Sequence, residues 1–432
     1  MKKHGMTRWL ALFLIFVLLL TGCQSTSPED ATKAEPGEQT SSETETTTEA
    51  AQEIAFDELE LEKLPVGDLA EYTPLEDGVE ATEEDMERIQ RAMRDYVPPE
   101  ENLLINNAKH FYYYEQLNQE QQQVYDAMYL AAQNPSGKNY VSAIVSVDPR
   151  SSEFRTLANM AFWAMLYDHA ELYWLYISRN ICWRYPSYQT RAPYEVYFYV
   201  KEYDGFTTDM PFFNDAVKRF MEKIDLTKSE REIAKQIHDQ LVDLVQYDYD
   251  LYYSGLGYNN IGHTAFGALV NNSSGKKNTC VCDGYAHAFV YLMQQAGLNA
   301  CFISGVAGAD ETDVGGHAWA LAEVDGRWYE VDPTWDDFNN KLVDPHNATS
   351  KWLSYYKEMS KDSKFMDMYQ HHMFLISSSS MRNYKSTSSQ KYYTKDGKWV
   401  FNMVGDSVHI RNYEYGRTEI WDALSKLTPV CP

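Results

Sequence analysis

The stretch that decides the fold reads Cys280-Val281-Cys282-Asp283-Gly284-Tyr285-Ala286 and, further on, His317-Ala318-Trp319-Ala320-Leu321-Ala322-Glu323-Val324-Asp325-Gly326-Arg327-Trp328-Tyr329-Glu330-Val331-Asp332-Pro333. The first part opens a helix. Ala286, Phe289, Leu292 or Met293, and Ala296 recur at helical spacing, and Gly297 stands where a C-cap belongs. Cys282 then lies in the first turn, where free N–H groups and the helix dipole favour an anion. Both effects lower a thiol pKa from its free value of about 8.5, and the same N–H groups can stabilise an oxyanion.

The second part is a β-hairpin. Asp325-Gly326 is a two-residue turn signal, which pairs Val324 with Arg327 and fixes every other pair. Trp319 then faces Asp332, and His317 faces Thr334. His317 and Asp332 fall on one side of the sheet as diagonal neighbours, within reach of a hydrogen bond. A one-residue slip would put them on opposite faces. Singly, a buried Cys, a strand His and an Asp before Pro are ordinary core and turn residues. Together they supply a thiol, an imidazole and an orienting carboxylate, the composition of a nucleophilic site. In that site His317 draws the proton from Cys282 to form an ion pair. The thiolate attacks an amide carbonyl and leaves a thioester.

Other elements are legible on either side of this core. Thr227-Lys228-Ser229-Glu230 is a capping-box sequence before the stripe Ile233, Ile237, Leu241. Residues 247–262 read as a loop, 264–270 as a short apolar segment and 271–275 as a turn. A strand is expected over 300–306, followed by a Gly- and Asp-rich loop over 307–316. Upstream the chain is Tyr-rich and mainly helical. One helix follows Asn118 and Gln121, another carries Phe154, Leu157, Ala161 and Met165, and a strand follows Pro193. Trp163, Tyr173, Trp174 and Trp183 are read as core rather than as a sugar-stacking surface.

The segment resembles the transglutaminase-like superfamily, a branch of the papain-like fold. The matching residues are Val281-Cys282-x-Gly284-Tyr285-Ala286, Gly305, His317-Ala318-Trp319 and Gly326-x-Trp328-Tyr329-x-Val331-Asp332-Pro333-Thr334-Trp335-Asp336-Asp337, with Ile237-His238-Asp239 and Tyr247-Asp248 upstream. The resemblance covers about residues 228–338. It implies an α+β fold with the Cys-bearing helix packed on an antiparallel sheet, and a catalytic triad at Cys282, His317 and Asp332. Ala320 replaces the Asn that members often carry, and Cys280 stands where Gly is common. Trp319, Trp335 and Tyr285 are candidates to line the substrate cleft. His263 or Thr264 is a candidate second oxyanion donor, and His287 is read as structural, on the exposed side of its helix. Asp310, Glu311 and Asp313 read as a solvated lid loop rather than as the calcium site of animal transglutaminases.

The start of the chain has a different character. Lys2, Lys3 and Arg8 precede the apolar run from Trp9 to Leu20, which is the pattern of a secretory signal. It is too short to span a bilayer, which takes about 20 apolar residues. Leu20-Thr21-Gly22-Cys23 resembles a bacterial lipobox, which implies cleavage before Cys23 and lipid on its sulfur. Residues 24–80 are rich in Ser, Thr, Glu, Ala and Pro and read as a flexible tether reaching about 40 Å. The chain has 432 residues and a formal net charge of −25. Residues 23–90 alone hold 21 acidic residues against Lys33, Lys63 and Arg88, so most of the acidity belongs to the tether. Nucleic acid, which needs a basic face, is disfavoured as a partner.

The expected domains are a signal peptide (1–22), a tether (23–80), a mainly helical region (81–225), the catalytic unit (226–345) and a C-terminal extension (346–432) packed on it. If Cys23 is lipidated, five cysteines remain, so at least one is unpaired; the other four form two disulfides in any of three ways, or none. No cofactor is expected. The C-x-C at Cys280 lacks a second ligand pair, and His371-His372 has no nearby third ligand, so no metal site is expected at either. The expected partners are peptide or protein substrates at the cell envelope, with the membrane reached through Cys23 on the extracytoplasmic face.

Overall fold

The computed structural model describes residues 61–63 and 104–432, except 138, 187–188, 204, 255–258, 346–351, 387–390, 394–398, 403–404, 413 and 415–423. The expectations for the signal segment, Cys23, nearly all of the tether and residues 81–103 lie outside this range. No helix among the described residues is long and apolar enough to cross a membrane.

The fold is α+β, as the sequence implied. The first part is mainly helical, with α1 (Gln119–Ala132) and α2 (Ser152–Asp168) packed together beside a small sheet. Asn118 and Gln121 form the expected capping box, and Ser151 caps α2. The sheet has the order β1 (Leu61–Lys63), β3 (Ile181–Tyr185), β4 (Tyr194–Val200), β2 (Val141–Val145). Leu61–Lys63, within the stretch expected to be tether, pairs parallel with β3. Trp163, Tyr173, Trp174 and Trp183 are all buried, so none offers a face to a sugar.

The helical part and the catalytic part share one core. A continuous apolar cluster runs from Leu104 to Cys431. The Gln294 side chain donates to the Asp168 carbonyl at 2.9 Å across the expected domain boundary.

The second part begins with α3 (Glu230–Leu244). Its N-cap is Ser229, paired with Glu232, two residues beyond the Thr227 expected from sequence. Ser229 to Glu232 is also an S-x-x-E sequence, and it is the one in register with the apolar stripe. The stretch read as a loop after residue 246 holds a helix, Tyr249–Ser254, and a one-turn helix, Ile261–His263. The next apolar segment is α4 (Ala265–Leu269).

Next comes α5 (Cys282–Gln295), which packs across β5 (Ala300–Asp310) and β6 (Asp313–Val324). The loop expected over 307–316 is instead the continuation of these two strands, turning at Glu311 and Thr312. Its glycines permit close pairing rather than breaking it. A Cβ on Gly308 would lie 1.8 Å from the Asp313 carbonyl oxygen. The Asp325-Gly326 turn forms as predicted, with both residues at positive φ. Pairing of β6 with β7 (Arg327–Val331) runs from Val324–Arg327 to Ala320–Val331, which is the predicted register. It ends there because Asp332 leaves the sheet to cap α6 (Pro333–Asp336).

The C-terminal extension does more than pack on this unit. After α7 (Ser363–Gln370), it supplies β8 (Phe374–Ile376) on one edge of the sheet and β9 (Val408–Arg411) on the other, in the order β8-β7-β6-β5-β9. The sheet coils enough for Arg411 on β9 to reach Glu330 on β7 at 2.7 Å. Gly305 is enclosed by β9 and the Trp319 ring. A Cβ there would lie 2.4 Å from the Ile410 carbonyl oxygen and 2.5 Å from the Trp319 ring. Gly305→Ala should therefore lower the unfolding free energy by about 2–3 kcal/mol, read by urea denaturation, because neither the strand nor a buried indole can yield cheaply.

Candidate active site

Cys282 is the first residue of α5, with Val281 as N-cap. The Val281 N–H donates to the Gly262 carbonyl at 2.9 Å, which pins the start of the helix to the preceding turn. The N–H groups of Cys282 and Asp283 have no partner among the described residues. They point out of the first turn as donors available to an oxyanion. Gly284 holds the motif together, since a Cβ there would lie 2.5 Å from the Cys280 Cβ and 3.0 Å from the Thr264 carbonyl oxygen.

The thiol itself lies against the backbone N–H of Ala318, next to His317 on β6. His317 Nε2 is 2.7 Å from Asp332 Oδ2, the diagonal contact that the hairpin parity implied. Asp332 Oδ1 accepts the N–H groups of Thr334 at 3.0 Å and Trp335 at 3.2 Å. With Nε2 donating to Asp332, the proton-accepting atom of a neutral His317 is Nδ1.

A residue that the sequence reading missed completes this arrangement. His409 on β9 places its Nε2 3.0 Å from the same Asp332 Oδ2. Burial tends to raise the Asp332 pKa, but the charge and hydrogen bond of His317 and the hydrogen bond of His409 outweigh it. The carboxyl is held well below its usual range. Burial keeps His409 below the ordinary histidine range and hence a neutral donor. No signal in residues 228–338 could have pointed to it, because it comes from 77 positions downstream.

The electrostatics of the thiol differ from expectation. Burial, followed by the adjacent Asp283 carboxylate, pushes the Cys282 pKa well above its ordinary value, and the Ala318 N–H only partly offsets this. Enclosure of the thiol thus works against the thiolate of the expected ion pair with His317, which the helix start favours. Asp283 stays ionised despite its burial because His263 Nδ1 lies 3.0 Å from its Oδ2. Its Oδ1 is 3.3 Å from Cys282 Sγ. Asp283→Asn should lower the thiol pKa and raise the rate of iodoacetamide alkylation at pH 7 by about tenfold, one pKa unit of thiolate. A pH–rate profile of alkylation reads the shift directly.

Other candidates fall in different places. His263 Nδ1 is engaged by Asp283, and the Thr264 hydroxyl donates to the Ile261 carbonyl at 2.7 Å, which commits that hydroxyl away from an oxyanion. Trp319 is 1% exposed, and its indole N–H donates to Glu330 at 2.7 Å. Tyr285 is fully buried and donates to Asp337 at 2.8 Å; burial raises that carboxyl to about 7. Both are core residues rather than cleft walls. The α5 helix is buried on every side, which a one-sided stripe did not reveal. Trp335 is partly exposed, with its ring 6.0 Å from that of His317, and is the one of the three placed beside the site. His287 is buried, not exposed, and stacks on Phe302 at 4.1 Å; burial lowers its pKa to about 4. Cys182, Cys280, Cys282, Cys301 and Cys431 are all buried thiols, with no disulfide among the described residues.

Residues 218–333 match the Transglutaminase-like superfamily model. No curated protein matches the chain significantly. Two solved structures are similar over part of it. One is the crystal structure of a TGase, at 14% identity and a TM-score of 0.25, covering 45% of this chain and 50% of that one. The other is a proposed cysteine protease from Cytophaga hutchinsonii, at 16% identity and a TM-score of 0.21, covering 36% of this chain and 63% of that one. The chain thus spans less than two thirds of the length of either structure.

Proposed function

We propose, from the premise that this chain carries a transglutaminase-like domain at residues 218–333, that it is a thiol enzyme acting on peptide or protein amides. The observation that carries this reading is the Cys282 thiol beside the His317-Ala318 edge, with His317 fixed at 2.7 Å by an ionised Asp332. His317 Nδ1 takes the Sγ proton as the sulfur bonds to the substrate carbonyl carbon. The Cys282 N–H stabilises the oxyanion. The C–N bond then breaks, and His317 returns the proton to the leaving amine. Water attacks the thioester and releases the acid and the free thiol, with His317 acting again as base.

Hydrolysis is the preferred outcome, since water is always present, and an amine acceptor gives acyl transfer by the same steps. The lipobox resemblance at Cys23 and the acidic stretch after it support a place at the extracytoplasmic face of the membrane, lipid-anchored and reaching outward.

The test compares wild type with Cys282→Ala on envelope peptides and Gln-containing proteins. Wild type should release new amino termini or ammonia, and the variant neither. Ammonia with amine incorporation indicates acyl transfer, and new amino termini indicate a peptidase. Equal inactivity of both proteins across these substrates, with no preferential labelling of Cys282 by a thiol electrophile, would instead mark a binding module that keeps the fold.

A further inference from the structure

A second cluster lies where the C-terminal extension meets α3. His371 Nε2 is 2.7 Å from Asp239 Oδ1, and His238 Nδ1 is 3.1 Å from the same oxygen. One ligand-type atom from each residue lies within 4.8 Å of the others. The opposite ring nitrogens are already committed. His371 Nδ1 is 2.6 Å from the Asp367 carbonyl oxygen, which can only accept, so this nitrogen carries the proton. His238 Nε2 is 3.1 Å from Asp336 Oδ2. Asp336 also accepts the Met373 N–H at 2.9 Å, and His372 Nδ1 is 2.9 Å from it.

These commitments can be met in two ways, by a proton on each facing ring nitrogen or by a cation in the place of those protons. With neutral rings, His238 Nδ1 and His371 Nε2 present lone pairs to an Asp239 oxygen that is itself only an acceptor. With both rings protonated, two imidazolium ions share one carboxylate with the Lys235 ammonium. That ammonium is 2.6 Å from Asp239 Oδ2 and 2.8 Å from His371 Nε2, where it would face an N–H. In the catalytic cluster no lone pair has to face the carboxylate, because His317 and His409 can each donate one N–H to Asp332.

We infer that His238, Asp239 and His371 form a binding site for a divalent transition-metal ion of the zinc class. An ion between the three ligand atoms takes the place of those protons and of the Lys235 contact with His371. Two imidazoles and a carboxylate are an established zinc donor set, and ligands about 2.0–2.1 Å from zinc lie about 3.3 Å apart at tetrahedral angles. The observed separations of 2.7 and 3.1 Å need only a small opening. The outer contacts are also those of a metal site, in which each ligating histidine donates its other N–H to a carboxylate or carbonyl. Here these are Asp336 for His238 and Asp367 for His371. Lys235, whose side chain is 44% exposed, would swing out and leave the fourth position to water. The ion would tie the C-terminal extension to α3. Through Asp336, whose N–H donates to the Asp332 carbonyl at 3.1 Å, it would brace the base of the catalytic carboxylate.

The experiment is a zinc titration of the full chain carrying Cys282→Ala, which removes the catalytic thiol as a competing ligand, against a chromophoric chelator. One equivalent of Zn²⁺ should bind per chain, and His371→Ala should weaken it at least 100-fold. Lys235→Ala should bind as tightly or more tightly, since a competing ammonium is gone. Co²⁺ should give the visible absorption of a four-coordinate site. If His371→Ala fails to fold by circular dichroism, Asp239→Asn provides the same comparison. No stoichiometric binding, unchanged affinity in the ligand variants, or loss of binding in Lys235→Ala would each overturn the assignment.

Discussion

His317→Ala should slow the reaction of Cys282 with a thiol electrophile at pH 7 by at least 100-fold, while leaving the slow labelling of Cys301 unchanged. The thiol is buried beside a carboxylate, so little thiolate exists without a base to receive its proton. General-base assistance contributes about 10²–10⁴ in rate, and kcat/KM on an amide substrate should fall within that range. The site should survive this substitution structurally. The Asp332 cap on α6 uses Oδ1, which His317 does not touch, and His409 still donates to Oδ2. Asp332→Asn should keep the cap while losing the ionised partner of both histidines, so its effect should appear in rate before stability. Stopped-flow alkylation with mass-spectrometric site assignment separates the two cysteines. Equal rates at Cys282 in wild type and His317→Ala would mean that the imidazole does not serve the thiol.

The largest expected effect on stability lies at Arg411. Its guanidinium is 2.7 Å from Glu330 Oε1, and both side chains are almost wholly buried. Glu330 also accepts the Trp319 indole N–H at 2.7 Å and the Ser378 hydroxyl at 2.6 Å. Arg411 also reaches the Thr428 carbonyl at 3.4 Å. Arg411→Met leaves a buried carboxylate without its counter-charge and should cost about 3–5 kcal/mol. Adding Glu330→Gln should recover much of that loss, because a neutral amide can accept from the Trp319 indole through its oxygen and donate to the Ser378 hydroxyl through its nitrogen. Urea denaturation of the two single variants and the double variant completes a cycle. A small loss in Arg411→Met, with no recovery in the double variant, would place the stability of this end of the sheet in apolar packing instead.

What could be read from the sequence was local. The Asp325-Gly326 turn sets the hairpin register through backbone twist, and period-2 alternation then puts His317 and Asp332 on one face. Cys282 at the start of α5 is legible from the helical stripe and Gly297, whose positive φ ends the helix. These short-range rules act within a few residues, which is why the thiol, imidazole and carboxylate were legible without coordinates.

The tertiary structure decided everything that depends on distant segments. It brought His409 onto Asp332 across 77 positions and Arg411 onto Glu330 across 81. It gave His371 the neighbours that the sequence around it lacks. It turned Trp319, Tyr285 and His287 inward, because helices and sheets pack on both sides of α5 and leave it no solvent face. It also reversed the sign of the Cys282 shift. A helix start favours an anion, but desolvation and the Asp283 charge are stronger once the site is enclosed. Sequence determined which groups carry the chemistry because turn and period rules are local. Only the closed fold determined their burial, charge state and supporting partners, because these are set by whatever else arrives in the same few ångströms.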